Sequence, residues 1–421
     1  MSDRAEGDRV LKSGGERLPL SGIRVLELGR YLAAPLVGQL LGDLGAEVVK
    51  IERRGFGDEF RQYGRTFVRD RDGNPTKESA PYVSANRNKR SVEVDLANPD
   101  GQRIVRSLAR ECDIFIENFK VGALDRFELD YASVRAANPG VIYLAISGFG
   151  QAGPYARKAA TDSAFQAMSG LWDVNGEPEG QPQKIGAPAS DYIGGLFGAL
   201  SVMAALRHRD LHGEGQHIDL SLLDTQIAMM ANQASSHLVD GRVPGRLGNR
   251  HPTVVPYTTF EVADGTVILA VGNDGQFRAF CTAMGRAELG TDPRFATGPA
   301  RVINRDALEA LIAELLKGQP RDALIARLEE AGVPVGPVNT LEDVFADPFV
   351  EARQTVHRFR RDDGVEIPSV AYPGKLSRTP ADYRRQPPRV GEQTREMLAD
   401  WLGMSEQECA ALEAAGVVVQ G

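Results

Sequence analysis

The sequence predicts an α/β protein with two parts, a large domain built on a parallel, doubly wound sheet and a smaller second domain. Short β-rich runs alternate with stretches of helical apolar spacing through the first half of the chain. Of the 421 residues, 42% are hydrophobic and 25% are charged, which is sufficient for a buried core. Glycine and proline are frequent, at 45 and 24 residues, and aromatic residues are sparse at 7%, as expected of a loop-rich α/β protein rather than a β-sandwich.

The predicted elements follow one another in the order that a parallel sheet requires. In the large domain they are strand 22–28, helix 33–45, strand 46–52, strand 91–96, helix 100–110, strand 114–117, helix 131–138, strand 141–146, helix 191–207 and a strand-helix segment at 217–238. Later elements are a hairpin at 258–271 and helices at 276–284, 307–317, 321–331, 394–402 and 406–415. Alternation of this kind predicts parallel strands with helical crossovers.

The domain boundaries are predicted from changes in composition along the chain. Residues 1–18 are charged and lack an apolar run, so we expect a flexible tail rather than a signal peptide. The remaining boundaries are a large domain at 19–224, a linker at 225–256, a small domain at 257–347 and a C-terminal segment at 348–421 that returns to the large domain.

Charge and cysteine content narrow the classes of function. The net charge of -8 opposes general binding to nucleic acid. The three cysteines are far apart and the six histidines are scattered, so we expect neither a disulfide framework nor a metal site. The longest mostly apolar stretch, residues 192–206, is too short to span a bilayer. We therefore expect a cytoplasmic protein without membrane or nucleic-acid partners.

Familiar catalytic motifs are absent or misplaced. A G-x-G-x-x-G pattern occurs at Gly148, Gly150 and Gly153, but it follows the fifth strand of the alternating series and runs into Pro154 instead of opening a helix. A dinucleotide-binding fingerprint belongs on the first βα turn, so this pattern does not predict NAD binding. The motifs of hydrolases, P-loop NTPases, kinases and zinc peptidases are not found in the sequence.

Two carboxylates stand out by position. Asp191 opens the predicted helix 191–207, where the ordinary role is an N-cap. A helix N-terminus also keeps a carboxylate ionised and favours developing negative charge, which suits a carboxylate nucleophile. Asp162 likewise precedes a helical run and has the same two interpretations. The residues alone leave both open.

Two basic segments and one arginine are candidate phosphate ligands. Residues 86–90 (NRNKR), Arg53 with Arg54, and Arg126 follow or precede predicted strands. Charge runs are more often solvated surface, and this alternative also stays open.

Six motifs together resemble the family III CoA-transferases, the family of formyl-CoA and carnitine CoA-transferases. They are VLELG at 25–29 followed by AAP at 33–35, LGAEVVKIER at 44–53, NKRSVEVDL at 88–96, ENF with GALDR at 117–126, SGFG with GP at 147–154, and GEGQHIDLSLLD at 213–224. The resemblance runs from about residue 18 to GEQT at 391–394. It implies a Rossmann-like large domain, a small domain and an interlocked homodimer, in which two chains pass through each other.

The resemblance also implies site residues. The family nucleophile matches Asp191. The family CoA contacts match Leu32, Ala33, Arg53, Val94, Asp95, Leu96, Ala97, Asn118, Phe119, Lys120, Arg126, Lys158, Thr161 and Asp162. Formyl-CoA transferase has a lysine in place of Ala97, so Lys89 or Arg90 is expected to supply that phosphate contact. Coenzyme A is then a substrate, with no permanently bound cofactor or metal.

The resemblance favours a particular reaction. The chain looks most like members that use succinyl-CoA and short dicarboxylic acids, with Arg250 a candidate for the distal carboxylate. Residues 247–257 replace the glycine-rich lid of formyl-CoA transferase, which argues against formate and oxalate. The α-methylacyl-CoA racemases carry a histidine where Thr161 stands, and threonine cannot exchange a proton with an α-carbon. A racemase and a non-catalytic CoA-binding protein remain the alternatives.

Overall fold

The computed structural model describes residues 18–421, so all but the last residue of the expected N-terminal tail lies outside the described part of the chain. The described chain forms two compact units. The first contains the residues up to Ser169, then Ala187–Met229 and Gln354–Gly421. The second contains Gly170–Gly186 and Met230–Arg353.

The strands come in chain order as follows: β1 Arg24–Leu28, β2 Glu47–Arg53, β3 Phe67–Arg69, β4 Pro75–Ser79, β5 Lys89–Val94, β6 Ile114–Glu117, β7 Ile142–Ser147, β8 His217–Ser221, β9 Tyr257–Val262, β10 Gly265–Ala270, β11 Val335–Pro337, β12 Val356–Arg360, β13 Glu366–Val370 and β14 Val418–Val419. Two-stranded ribbons pair β3 with β4 and β12 with β13.

The α-helices are α1 Ala33–Asp43, α2 Ala80–Val83, α3 Pro99–Glu111, α4 Tyr131–Ala137, α5 Asp162–Met168, α6 Leu171–Val174, α7 Ala189–His212, α8 Leu222–Met229, α9 Ala231–Asp240, α10 Asp274–Ala283, α11 Gly298–Ile303, α12 Arg305–Leu316, α13 Arg321–Glu330, α14 Leu341–Ala346, α15 Pro348–Ala352, α16 Thr394–Leu402 and α17 Glu406–Ala414. Short 3₁₀ turns lie at Glu59–Gln62, Asp125–Phe127 and Ala287–Gly290.

The first unit is organised by a seven-stranded sheet in the order β14-β5-β2-β1-β6-β7-β8. Its pairs are parallel except for that of β14 with β5. Counted along the chain, the six parallel strands follow the order 3-2-1-4-5-6 of doubly wound sheets. The order reverses between β1 and β6, and ligands of such sheets bind outside the carboxyl ends of the strands at that point. The predicted parallel α/β architecture is therefore confirmed.

Helices cover both faces of this sheet. One face packs against α1 and α7, and the other against α3, α4 and α16. Alternation along β1 divides the two cores, since Val25 packs on the first face and Leu26 on the second. In α7, a Cβ at Gly195 would lie 2.7 Å from Leu36 of α1, so glycine lets these two helices approach closely.

The second unit has its own core around the three-stranded antiparallel sheet β11-β10-β9, packed with α10, α12 and α13. Buried Arg301 pairs with Asp274 at 2.8 Å and donates to the carbonyl oxygens of Val255 and Phe295. The predicted hairpin at 258–271 corresponds to β9 and β10.

Three sequence-based expectations differ from the structure. The expected linker at 225–256 contains the end of α8 and all of α9, and residues 170–186 belong to the second unit. The expected helix 191–207 extends to 24 residues, which makes α7 long and apolar enough, by length and composition alone, to cross a membrane. The face of α7 that carries Gly195 and Gly198 packs on α1 and on the sheet in this unit, as the faces of core helices do. Sequence pattern missed the start of α7 because Ala189 and Ser190, the residues before Asp191, carry no helical signal of their own.

Candidate active site

A cavity of about 490 Å³ lies at the carboxyl ends of β1, β2, β5 and β6, beside the point where the strand order reverses. It is lined by residues 28–30, 51–53, 57–59 and 94–97 with Gln102, Phe119, Arg126 and Phe127. Because each strand delivers its following loop to the same edge, four loops distant in sequence converge here.

The cavity unites part of the expected CoA contacts. Those that line it are Arg53, Val94, Asp95, Leu96, Ala97, Phe119 and Arg126. Those that do not line it are Leu32, Ala33, Asn118, Lys120, Lys158, Thr161 and Asp162. The CoA-binding role of every one of these residues stays a prediction.

Two of the arginines that line the cavity, Arg53 and Arg126, are not neutralised by a carboxylate partner in the described chain. Arg53 and Arg126 are exposed, and neither forms an ion pair with a carboxylate among residues 18–421. Their guanidinium groups lie 5.6 Å and 4.4 Å from the ring centres of Phe56 and Phe127, which restrict them to the rim of the cavity. Unpaired guanidinium groups held in this way suit phosphate oxygens.

The structure is against a phosphate contact from Lys89 or Arg90. Lys89 is fully buried, and its Nζ pairs with Glu27 at 2.8 Å and donates to the carbonyl oxygen of Pro35. Arg90 pairs with Glu47 at 2.6 Å at the amino end of the strands, away from the cavity. Both cations are therefore already committed to partners within the protein.

The structure contradicts both interpretations of the basic segment 86–90, as a phosphate site and as solvated surface. Asn86, Arg87, Asn88 and Lys89 are buried, so the segment is neither a solvated face nor a phosphate site. Arg87, for example, binds Asp43 through two nitrogens at 2.9 and 2.6 Å. Buried charges must be paired, and the partners come from β1 and α1, over 40 residues earlier in the chain.

Asp191 is the third residue of α7, because the helix begins at Ala189 with Pro188 as its N-cap. The N-cap interpretation of Asp191 is therefore wrong. Proline supplies no side-chain acceptor, and the Asp162 carboxylate takes that role by accepting from the backbone N–H of Ser190 at 2.8 Å. The hydroxyl of Ser190 in turn donates to buried Gln226 at 2.7 Å.

The Asp191 side chain is partly buried and accepts no hydrogen bond from a side chain in the described chain. Burial and the neighbouring Asp162 carboxylate raise the pKa of Asp191 to about 7. The expectation that the helix N-terminus keeps this group fully ionised is thus not met, since desolvation and like charge outweigh the dipole. A carboxylate with a pKa near neutrality, free of partners, is available to react with a carbonyl carbon.

Topology places Asp191 at the same edge of the sheet as the cavity. Helix α1 follows β1 and so begins at the carboxyl edge, while α7 precedes the parallel strand β8 and therefore also begins there. The two helices lie side by side, with Gly195 against Leu36 and Gly198 against Val37. Asp191 lies about one helical turn before Gly195, which puts it at the end of α7 that faces this edge.

The family model for CoA-transferase family III matches residues 20–394. The chain belongs to that family. The predicted resemblance is confirmed over nearly its whole expected length, and the protein is a CoA-transferase, an enzyme whose substrates are CoA thioesters.

Similar proteins extend over almost the full chain. A succinate–glutarate CoA-transferase of Agrobacterium fabrum is 46% identical over 91% of this chain and 95% of its own length. A succinyl-CoA–D-citramalate CoA-transferase of Chloroflexus aurantiacus is 36% identical over 95% of this chain and 98% of its own. A crystal structure of a CaiB/BaiF family protein from Brucella suis superposes with a TM-score of 0.83 at 44% identity, covering 91% of this chain and all of that one.

In this CoA-transferase the G-x-G-x-x-G pattern does not open a helix. It follows β7, and the chain from Gly150 to Thr161 contains no helix before α5 begins at Asp162. Gly148 is required by packing, because a Cβ there would lie 2.7 Å from the ring of Phe165. Among residues 18–421 no cluster of three or more His, Cys, Asp or Glu side chains could hold a metal ion.

Arg250, expected to bind a distal carboxylate, is already paired within the second unit. Its Nε lies 2.9 Å from Glu309, and a terminal nitrogen lies 3.3 Å from Asp306. Two carboxylate partners leave little charge for a substrate, so the structure does not support that role.

Sequence reasoning missed several charged residues around the cavity. Arg30, Asp58 and Glu59 line it, and the buried Nζ of Lys50 forms an ion pair with Asp58 Oδ2 at 2.9 Å. The available signal was the charge of Lys50 inside the apolar strand 46–52, since a charged residue in a central parallel strand requires a buried partner. Glu117, at the end of β6, was likewise missed, and burial raises its pKa to about 7.

Proposed function

We propose that this CoA-transferase moves CoA from succinyl-CoA to a short dicarboxylic acid through a covalent intermediate on Asp191. The proposal rests on one observation: a carboxylate without a hydrogen-bond partner among residues 18–421 and a cavity with two arginines unpaired within that range lie at the same edge of the sheet. The substrate class follows the relatives, which are named for succinate or succinyl-CoA with glutarate and citramalate.

The reaction begins with the ionised Asp191 carboxylate. One of its oxygens attacks the thioester carbon of succinyl-CoA, the carbon–sulfur bond breaks, and CoA leaves as a thiolate, so that a mixed anhydride forms between Asp191 and succinate. The thiolate then attacks the aspartyl carbonyl carbon, which releases succinate and leaves CoA on Asp191 as a thioester. These two steps consume the Asp191 carboxylate and release the succinate carboxylate, and the thiolate formed in the first step is consumed in the second, so no proton is gained or lost.

The acceptor reverses these steps. Its carboxylate attacks the aspartyl thioester, expelling the CoA thiolate and forming a second anhydride. The thiolate attacks the acceptor's carbonyl carbon, so that the new acyl-CoA leaves and the Asp191 carboxylate is restored. A thioester is exchanged for a thioester, and the main demand on the site is to keep water from the anhydride.

The Rossmann-like unit is the proposed CoA-binding part. Arg53 and Arg126 bind phosphate oxygens of CoA from the rim of the cavity, while Val94, Leu96 and Phe119 provide apolar contact surface. Because position 97 has no lysine, these two arginines, and not Lys89 or Arg90, neutralise the negative charge of the CoA phosphates.

We also propose that the working enzyme is the interlocked homodimer expected from the family resemblance. Helix α9 has no buried residue, and its Leu238 and Val239 are 83% and 86% exposed in the single chain. Apolar side chains exposed to this degree are consistent with cover by a second copy. Sedimentation velocity should give an active dimer, and a stable, active monomer would contradict this proposal.

The test of the function is a donor and acceptor panel. The protein is incubated with succinyl-, acetyl- and formyl-CoA and with glutarate, malate, citramalate, oxalate and butyrate, and new thioesters are identified by mass spectrometry. We expect transfer from succinyl-CoA to dicarboxylates. A branched acyl-CoA that exchanges its α-proton in D₂O without an acceptor would instead favour racemase activity, and the absence of new thioesters with every dicarboxylate would overturn the proposed substrate class.

A further inference from the structure

The turn between β1 and α1 is held by side chains from β2 and from two other loops. Asn118, just after β6, forms hydrogen bonds with both polar groups of the Arg30 backbone. Its Oδ1 accepts from the Arg30 N–H at 2.9 Å, and its Nδ2 donates to the Arg30 carbonyl oxygen at 2.7 Å. Both ends of the amide are thus used within the protein.

The residues on either side of Arg30 are fixed as well. The carbonyl oxygen of Gly29 accepts from buried Lys50 at 2.6 Å, and the N–H of Tyr31 donates to Asp58 at 3.1 Å. Lys50 and Asp58 are themselves paired at 2.9 Å. Three consecutive residues of one turn are therefore held by side chains from β2, the loop after β2 and the loop after β6.

This turn needs external support. Tyr31 has a φ of 61°, a left-handed conformation that costs a side-chain-bearing residue about 1 kcal/mol or more. The N-cap position of α1 is Leu32, which offers no side-chain cap. The turn is consequently kept in place by the side chains that hold it rather than by its own preference.

The held turn shapes the candidate CoA cavity. Arg30 lines the cavity, and its guanidinium lies 4.7 Å from the ring centre of Phe119, which lines it too. Asn118 joins the loops that follow β1 and β6, the two strands between which the order of the sheet reverses. Displacement of either loop would alter the surface that receives CoA.

We propose that Asn118 is a positioning residue, whose side-chain amide fixes the β1–α1 turn and the Arg30–Phe119 pair in the geometry that binds CoA. The inference rests on the proposed CoA site. It deepens that proposal because it gives the side chain of a residue of the family motif ENF the role of shaping the surface that receives CoA.

The first test measures CoA affinity by calorimetry and kcat with KM for succinyl-CoA at saturating glutarate. Asn118→Ala removes two hydrogen bonds to the turn, so we expect CoA affinity to fall and KM to rise by about tenfold to a hundredfold, with kcat little changed. Asn138→Ala is the matched control: Asn138 donates to backbone carbonyl oxygens of Ala109 and Cys112 at 3.2 and 2.7 Å, and it does not line the cavity. We expect it to lower thermal stability without changing CoA affinity.

The second test uses Asn118→Asp, because the hydrogen bonds of an aspartate with the Arg30 backbone depend on pH. A protonated carboxyl group can accept from the Arg30 N–H and donate to the Arg30 carbonyl oxygen, whereas the ionised group repels that oxygen. The ratio of variant to wild-type CoA affinity should therefore improve as pH falls, and the corresponding ratio for Asn118→Ala should stay flat. The CoA affinities are measured well below the melting temperature of each variant. If Asn118 only stabilised the fold, the affinity of Asn118→Asp would not recover as pH falls.

A third variant separates failure of this inference from failure of the proposed site. If Arg126→Gln weakens CoA binding while folded Asn118→Ala and Asn118→Asp bind as wild type at every pH, the positioning role is overturned and the site stands. If none of the three weakens binding, the cavity is not the CoA site and both proposals fall. If Asn118→Ala does not fold, the pH dependence of Asn118→Asp decides alone.

Discussion

The pKa of Asp191 leads to a specific prediction about Asp162. Burial and then the Asp162 carboxylate raise the pKa of Asp191 to about 7, so ionisation of the nucleophile should limit the rate below neutral pH. Asp162→Asn removes the neighbouring charge, yet an Asn oxygen can still accept from the Ser190 N–H that Asp162 caps. The perturbation thus removes the charge and keeps the cap, and it loses the hydrogen bond that Asp162 Oδ2 accepts from Gln166 at 2.7 Å.

The magnitude follows from the ionised fraction. For a pKa of about 7, roughly a tenth of Asp191 is ionised at about pH 6. If removal of one adjacent charge lowers the pKa by about one unit, half becomes ionised, which is about a fivefold gain in rate at that pH. At about pH 8.5 both enzymes are almost fully ionised, and the gain disappears.

The assay is the pH profile of kcat/KM for succinyl-CoA with glutarate as acceptor. Asp130→Asn is the control. Asp130 also caps a helix, since it accepts from the backbone N–H of Ser133 at 3.1 Å, and it is not among the groups that change the pKa of Asp191. We expect a lower midpoint for Asp162→Asn alone. Identical midpoints for wild type and both variants would refute the electrostatic account of the Asp191 pKa.

Three further predictions address the nucleophile, the CoA site and the buried charges. Asp191→Ala should abolish transfer while calorimetry shows CoA affinity within about threefold of wild type, and a rate retained near that of wild type would remove Asp191 from the mechanism. Arg126→Gln should weaken CoA binding about tenfold to a hundredfold but leave pantetheine binding unchanged, since pantetheine has no phosphate; equal losses for both ligands would show that Arg126 does not bind phosphate. Gly38→Ala would place a methyl group onto the buried Glu27 carboxylate and should cost about 3 kcal/mol or more in urea unfolding, whereas Gly245→Ala, in open space, should be near neutral; equal stability of the two variants would contradict the packing around Glu27.

The parallel sheet was accessible from sequence because its information is local. Apolar strands such as 114–117 and 141–146 and the spacing of the helices between them reflect burial on both sides of a sheet. The carboxyl edge as the place of binding also follows from topology alone. Even so, sequence reasoning started α7 two residues late, since the alanine and serine before Asp191 carry no helical signal of their own.

The charge partners were not accessible from sequence. Segment 86–90 has the composition of a solvated basic run, and only long-range pairs such as Arg87 with Asp43 and Lys89 with Glu27 show that it is buried. A pKa has the same non-local origin. Position at a helix N-terminus favours ionisation of Asp191, and the opposing effects come from burial and from Asp162, which lies 29 residues earlier in the chain.

The covalent role of Asp191 is the central claim, and trapping tests it most directly. The enzyme is treated with hydroxylamine or borohydride in the presence of succinyl-CoA, and separately with free CoA, and its peptides are mapped by mass spectrometry. A slow acceptor prolongs the lifetime of the intermediate. We expect a hydroxamate or a reduced alcohol on Asp191 only when the acyl-CoA donor is present, with matching loss of activity. Donor-dependent modification on Asp162, or an unmodified Asp191 during turnover with the slow acceptor, would contradict it.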